Sequence, residues 1–538
     1  MQHDTHPPDP HDHAGDHGPH HGSMGERGVT RHGMHAGHDD ANHHDAGHHD
    51  ANHAGGQMHE MSEQDRRRMV VTHHRRTLWV WWTLVLLGLW TAAAPLTFDY
   101  RLGAVDVPGR SVWLSLDARV GALFWSDLLS GLLLAFLGWR TLTPGRPFSR
   151  WAACFVGVWL TFAPVLFWSP SMLAYLNDTI VGALVIALTI LVPGMPSMVM
   201  MMKTGPEVPP GWSYNPSSWP QRWVMIALAF AGWLVSRYLA AFQLGYTDRA
   251  WDPFFGDGSR RVLLSDMSHM WPISDAALGA LSYTFEFLMG FMGSPARWRT
   301  MPWMVLFFGV LIIPLGLTHV VLVVSQPVVV GQWCTLCLLA AAIMLPMIPL
   351  SVDEVVAMCQ FMRKAVWRDG KPFWRTFWKG DTLEMTEDGR GGADERTPDL
   401  ANLPSRPLAV VRASTWGVSA PWPLALATVL GLYMMIAPTL LGTAAGDPTG
   451  NFSLTDSNHL AGAAVVVAAV CAMGEVIRAG RYLNVLLGLW LAATPLFLAG
   501  GNTASTVNNV IVGLALIVLS LPRGKVVERY GRWDQCIF

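Results

Sequence analysis

Apolar stretches of bilayer-spanning length recur along this chain, at about 77–96, 121–140, 151–168, 177–196, 222–243, 275–293, 302–324, 328–350, 422–441, 457–476, 482–500 and 506–522. A helix needs about 20 apolar residues to cross roughly 30 Å of hydrocarbon. Inside lipid only helices and closed barrels satisfy their own backbone groups. The pattern therefore predicts an all-α, polytopic membrane protein of about twelve transmembrane helices. Composition agrees: 51% of residues are hydrophobic and 14% charged, against about 25% charged in an average soluble chain. That excludes an ordinary soluble enzyme, a disordered regulator and a nucleic-acid binder with a basic face. A net charge of −2 gives no global field, and six cysteines in 538 residues are too few for a secreted disulfide scaffold.

Met1–Ser62 carries no apolar core, so the first span is expected to insert uncleaved. An even span count puts both ends on one side. Arg66, Arg67, Arg68, Arg75, Arg76, Arg146, Arg150, Arg297, Arg299, Arg478, Arg481 and Arg523 fall in the loops and tails of that side, whereas 325–331, 442–457 and 500–506 hold no Lys or Arg. The positive-inside rule then predicts cytoplasmic termini in a cytoplasmic (inner) membrane.

Four spans share the phrase Gly-x-aromatic-x4-Pro: Gly88-Trp90-Pro95, Gly157-Trp159-Pro164, Gly431-Tyr433-Pro438 and Gly488-Trp490-Pro495. The span after each places an acid or amide four residues before a glycine: Asp127-Gly131, Asp178-Gly182, Asn458-Gly462 and Asn509-Gly513. Glycine permits close helix approach, and an Asp or Asn hydrogen bond fixes register. This two-helix unit, with Trp168-Ser169-Pro170 beside it, resembles the SPW repeat family over about 200 residues, a likeness that implies a packing module and little about chemistry.

Residues 1–62 hold 16 of the 21 histidines. A tail of Gly, Asp and His cannot build a core and is expected to be disordered. Its imidazoles, densest at His43, His44, His48, His49 and His53, are suited to Zn, Ni or Cu; physiological binding and adventitious binding both stay open. After the spans, Met358, Phe361, Met362, Trp367, Phe373, Trp374 and Trp378 alternate with Arg363, Lys364, Arg368, Lys371 and Arg375, an interfacial basic amphipathic pattern.

The sharpest chemistry is Cys334-Thr335-Leu336-Cys337 in an otherwise apolar span. Cysteines at i and i+3 share a helix face, within reach of a disulfide. Counted from Pro327, Cys334 lies about 10 Å into the bilayer from the outer face, at a depth open to a lipid-dissolved carrier. In such a pair one thiolate attacks and the other resolves the mixed disulfide. A purely structural disulfide, or coincidence, is the rival reading. Zinc is disfavoured because no second pair lies nearby. Arg237, Glu286 and His319 are ionisable residues in neighbouring spans. Arg237 and Glu286 are read either as an ion pair or as part of a proton path, and His319 as a proton-handling group near a thiol or quinone.

The block 222–350 resembles the vitamin K epoxide reductase family. The likeness runs from Arg261 to Tyr283, through Ser265, Asp275 and the Trp271-Pro272 pair, and ends two spans later at the CxxC. It implies a four-helix bundle in which Cys334 and Cys337 exchange electrons with a membrane quinone and with a separate thiol–disulfide partner protein. It also implies that Ser265 and Asp275 line the quinone site. The family's loop cysteines are absent: 244–274 contains none, and Ser259 stands where one is expected. Ala341 replaces a tyrosine one turn past the CxxC. Phe254 and Phe255 form either an apolar lid or a mere turn.

The expected division is a histidine-rich tail (1–76), an SPW-like unit of four helices (77–200), a redox bundle (201–350), an amphipathic linker (351–420), a second SPW-like unit (421–525) and a tail (526–538). The expected function is an integral-membrane thiol–disulfide oxidoreductase coupled to quinone, with membrane lipids, the quinone and a thiol protein as partners and no nucleic acid. The alternatives are a non-catalytic scaffold or metal-responsive sensor that kept the bundle and lost the relay, and a transporter built on the repeats. A dithiol sealed from both lipid and water would count against electron transfer.

Overall fold

The computed structural model describes residues 63–107, 112–192, 206–381, 397–398, 400–443 and 452–537. The histidine-rich stretch 1–62, with His43, His44, His48, His49 and His53, lies outside them. The described residues form helices and no strand; two isolated bridge pairs, Trp212 with Tyr530 and Val418 with Gly474, are the extended pairings.

Eleven of the described helices are long and apolar enough to cross a membrane. The stretch at 275–293 gives a shorter one, Asp275–Gly290. Its 16 residues reach about 24 Å, less than a full hydrocarbon core. The Ser274 side chain caps its start by accepting from Ala277 N–H, and Gly293, at φ 81°, turns the chain beyond its end.

We label the elements used below α1 (Glu63–Arg76), α2 (Leu78–Phe98), α3 (Leu116–Thr141), α4 (Pro147–Leu166), α5 (Met172–Ile186), α6 (Trp219–Gln243), α7 (Gly258–Leu263), α8 (Asp275–Gly290), α9 (Pro302–Ile312), α10 (Pro314–Val329), α11 (Thr335–Arg363), α12 (Trp422–Leu440), α13 (Leu454–Cys471), α14 (Leu483–Ala493) and α15 (Thr503–Ser520).

The repeated phrase acts through its glycines. A methyl group at Gly88 on α2 would stand 2.4 Å from Ala135 N, and one at Gly131 on α3 would stand 2.3 Å from Ala92 N. The same backbone-to-backbone approach joins Gly157 to Gly182, Gly431 to Gly462 and Gly488 to Gly513. Four pairs result: α2 with α3, α4 with α5, α12 with α13, and α14 with α15. The aromatic of each phrase then bonds across to the other pair in its half. Trp90 donates to Asn177 Oδ1 at 2.8 Å and Trp159 to Ser126 Oγ at 3.0 Å. Tyr433 donates to Asn508 Oδ1 at 2.8 Å and Trp490 to Ser457 Oγ at 3.0 Å. Each acceptor is the residue just before the repeat's Asp or Asn. Those amides, Asn458 and Asn509, donate to each other at 3.0 and 2.6 Å.

Between these halves lies the bundle of α6, α8, α9–α10 and α11, packed about a methionine-rich core that includes Met225, Met289, Met304, Met344 and Met347. α11 does not stop near 350; it continues to Arg363 despite Pro346 and Pro349. Its extension is held by burial of polar pairs. Arg297 grips Glu354 through two N–H groups at 2.5 and 2.6 Å, and Tyr214 donates to Asp353 at 2.7 Å. Beyond it, Trp367, Trp374 and Trp378 are exposed beside Arg368, Lys371 and Arg375, in keeping with an interfacial segment.

Candidate redox site

Cys334 and Cys337 form a disulfide with Cα atoms 5.2 Å apart. The pair is not two positions on one helical face, as the spacing suggested. α10 ends at Val329, Gly331 at φ 71° breaks the run, and α11 begins only at Thr335. Cys334 is therefore the N-cap, extended at φ −113° and ψ 114°, and its Sγ accepts from Cys337 N–H at 3.2 Å. The depth counted along a continuous helix from Pro327 falls with that helix. The pair instead marks the mouth of the span.

The first turn of α11 is tied to its surroundings. Cys334 N–H donates to Gln326 Oε1 on α10 at 3.1 Å. Thr335 Oγ1 donates to Asp252 in the loop between α6 and α8. Asp252 also accepts from Phe254 N–H at 3.3 Å, Phe255 N–H at 2.9 Å and Ser259 N–H at 2.8 Å. Burial pushes this carboxyl up, but the bonds from Thr335, Phe255 and Ser259 outweigh it and hold it down at about 2. One charged side chain thus folds the loop and fastens it to the CxxC. The fastening is close: a Cβ at Gly258 would stand 2.3 Å from the Trp333 carbonyl oxygen.

Cys334 is fully buried and Cys337 is 8% exposed. Around them pack Leu239 and Phe242 of α6, Val262 and Leu263 of α7, and Val320 and Val323 of α10. The cover is α7 with Phe255, whose ring lies 6.4 Å from that of Trp333. Phe254 is 78% exposed and takes no part in it. Of the two adjacent phenylalanines, Phe255 thus leans on Trp333 and Phe254 is exposed.

The remaining candidates divide. Ser265 spends its hydroxyl on Val262 O at 2.7 Å, closing the turn that brings Val262 to the pair. Asp275 opens α8 and accepts from Ala276 N–H at 2.8 Å, while Ala276 packs on the disulfide cluster. Both flank the site. His319, next to Val320 of that cluster, keeps Nε2 buried without a hydrogen-bond partner. Arg237 and Glu286 do not form an ion pair. Arg237 turns away to Thr179 Oγ1 at 2.6 Å and lies over the rings of Tyr175 and Trp233, because α5 offers it a hydroxyl and one π face and its own helix α6 a second. Glu286 accepts from Ser282 at 3.1 Å and leaves Oε2 buried without a partner. No cluster of three or more His, Cys, Asp or Glu suited to a metal occurs among the described residues.

Asp252, Gln326, Trp333 and Thr335 belong to the site and escaped the sequence reading. Trp333 and Thr335 had a signal in adjacency to the cysteines; Asp252 and Gln326 act from other elements and had none.

Residues 223–352 match the vitamin K epoxide reductase family, and residues 413–522 match the SPW repeat domain. The first match runs from within α6 through the CxxC into α11; the second contains α12 to α15. Neither the curated proteins nor the solved structures gave a match to this chain.

Proposed function

We propose that the chain is a quinone-linked thiol–disulfide oxidoreductase of the cytoplasmic membrane, with both termini inside and the CxxC at the outer face. The observation that carries this reading is the Cys334–Cys337 disulfide at the mouth of the fourth bundle helix, inside the segment matched to the vitamin K epoxide reductase family. In the reduced state, Cys334 and Cys337 give two electrons and two protons to a membrane quinone. Their sulfurs join and the quinone leaves as quinol. In the other half-cycle a partner thiolate attacks the disulfide at Cys334. Cys337 departs as a thiolate and takes up a proton, the partner's second thiolate attacks the mixed disulfide at the partner's own sulfur and releases Cys334, and the partner keeps the new bond.

The covered disulfide sets a condition on this cycle. The bond that Thr335 donates to Asp252 must open, or the cover of α7 must shift, before a partner thiol reaches Cys334. On this reading Ser265, Asp275 and His319 contact the quinone head, and Phe255 covers it. The repeats flanking the bundle, 77–200 by its glycine contacts and 421–525 by its family match, serve as its frame. Metal held by the histidine-rich tail is a separate matter from this chemistry.

The test uses the full-length protein in lipid nanodiscs, reduced and then mixed with a short-chain ubiquinone or menaquinone. Maleimide-polyethylene glycol labelling reads the thiols. Loss of two labels on quinone addition supports the reading, and retention of both labels sinks it. A Cys337→Ser variant is expected to trap a partner through Cys334. Full burial of Cys334 favours a second reading, a static cross-link in a membrane scaffold. Under that reading a Cys334→Ser, Cys337→Ser double variant keeps its in vivo role.

A further inference from the structure

The C-terminal SPW unit supplies part of the wall around the disulfide. Its helix α13 meets the site at two places eight residues apart, about 12 Å along the helix. Val467 packs against the apolar cluster that contains Cys334 and Cys337. His459 stands edge-on to Trp333, with ring centroids 4.9 Å apart and planes at 66°. Trp333 directly precedes Cys334.

The histidine is held on two sides. Its Nε2 lies 3.1 Å from the carbonyl oxygen of Val324 on α10. A carbonyl only accepts, so whichever ring nitrogen carries the proton is the donor. Its Nδ1 lies 3.4 Å from the Met435 carbonyl on α12. The ring is 6% exposed. On its far side Trp333 meets Phe255 of the cover loop, and its carbonyl oxygen fills the space in front of Gly258. Trp333 is therefore clasped between the loop and α13, and its backbone leads straight into the N-cap cysteine.

We infer that His459 is a positioning residue of the redox site: it holds Trp333, and through Trp333 the cover loop and the Cys334 backbone, so that the SPW unit sets how readily the disulfide opens. This rests on the thiol–disulfide reading above. A histidine that merely packed two helices together would affect unfolding and leave the disulfide's reactivity unchanged, and that difference is what the experiment reads.

Full-length protein in nanodiscs carries His459→Phe, which keeps a ring and loses the donor, or His459→Gln, which keeps an N–H donor. Two quantities are measured by thiol labelling: the rate of disulfide reduction at fixed dithiothreitol, and the midpoint potential in dithiothreitol redox buffers. His459→Phe is expected to be reduced about fivefold faster than the parent, the factor that corresponds to one hydrogen bond of about 1 kcal/mol. His459→Gln is expected to fall near the parent. Trp333→Phe is expected to show the same gain, and the double variant no more than Trp333→Phe alone. Unchanged rate and potential in His459→Phe overturn the inference, as do additive effects in the double variant. Should His459→Phe fail to fold, His459→Leu, which loses both ring and donor, takes its place in the same cycle with Trp333→Phe. A parent disulfide that exchanges with dithiothreitol but never re-forms with quinone defeats the quinone reading and leaves this inference standing on its own measurements.

Discussion

At the scale of single residues, the cysteine pair was legible because the spacing itself carries the chemistry. Its setting was not. A helix period read along 328–350 assumes continuous helix, and one glycine in the left-handed region at Gly331 is enough to move the helix start to Thr335. Asp252 lies 83 residues from Thr335 in sequence, in a loop with no periodicity, so only the folded chain reveals that it fastens the cover. The direction of its titration gives a prediction. A carboxylate held at about 2 favours the closed loop fully above its ordinary value of about 4, and that contribution is lost as pH falls through about 2. Asp252→Ala removes at once the acceptor for Thr335 and for three backbone N–H groups. Labelling of the reduced Cys337 thiol at neutral pH is expected to be several-fold faster in this variant. Gly258→Val, which drives a side chain into the Trp333 carbonyl, is expected to do the same. A labelling rate equal to the parent's in both variants means the loop does not cover the pair.

At the scale of elements, the Gly-x-aromatic-x4-Pro phrase was read as a packing unit, and the glycines do bring each helix pair to backbone contact. The reading missed what the aromatics and amides do: they tie one two-helix unit to the other. That information is spread over pairs such as Trp90 with Asn177, and Trp490 with Ser457, which lie far apart in sequence and on different two-helix units. The reciprocal Asn458–Asn509 pair allows a test of the energetics. Interhelical polar pairs in membranes contribute on average about 0.6 kcal/mol, whereas a buried amide left without a partner costs about 1–3 kcal/mol. The second effect exceeds the first. Asn458→Leu alone is therefore expected to lower stability by more than the double Asn458→Leu, Asn509→Leu variant does, as measured by denaturant unfolding in detergent. A double variant at least as destabilised as the sum of the two singles contradicts the pairing. Charged residues were harder to place than amides. Arg237 and Glu286 were open to reading as an ion pair or a proton path because each lies inside an apolar span, but Arg237 takes a hydroxyl and a ring from α5 and a second ring from its own helix.

At the scale of the whole molecule, the sequence reads as repeats flanking a bundle, and the last dozen residues of the folded chain help join the C-terminal unit to the bundle. The segment after α15 was expected to be a tail; instead it packs. Tyr530 is fully buried. Its hydroxyl donates to Glu475 Oε2 at 2.8 Å, and its carbonyl accepts from Gln360 of α11 at 3.0 Å. Ser213, ahead of α6, donates its N–H to Arg529 O at 3.1 Å and accepts from Arg529 N–H at 2.9 Å. Trp533 donates to Val476 O at 2.8 Å. Glu475 takes two further bonds from Val527 and Glu528 N–H, so its carboxylate is the knot that joins the C-terminal unit, the bundle and the chain end. A buried charge stripped of such donors is costly. Tyr530→Phe removes one of three bonds to Glu475 and is expected to cost about 1–3 kcal/mol. Deleting 527–538 removes all three and exposes the seam between α11 and the Glu475–Tyr482 segment. The deletion is expected to lower the unfolding temperature well beyond Tyr530→Phe and to open the 400–420 segment to limited proteolysis, while the α2–α5 half stays protected. If the deletion leaves both the unfolding temperature and the cleavage pattern unchanged, the chain end is not what binds the C-terminal unit to the bundle. The two would then be held by α13 against α10 and α11 and by the Glu475–Tyr482 segment against α11.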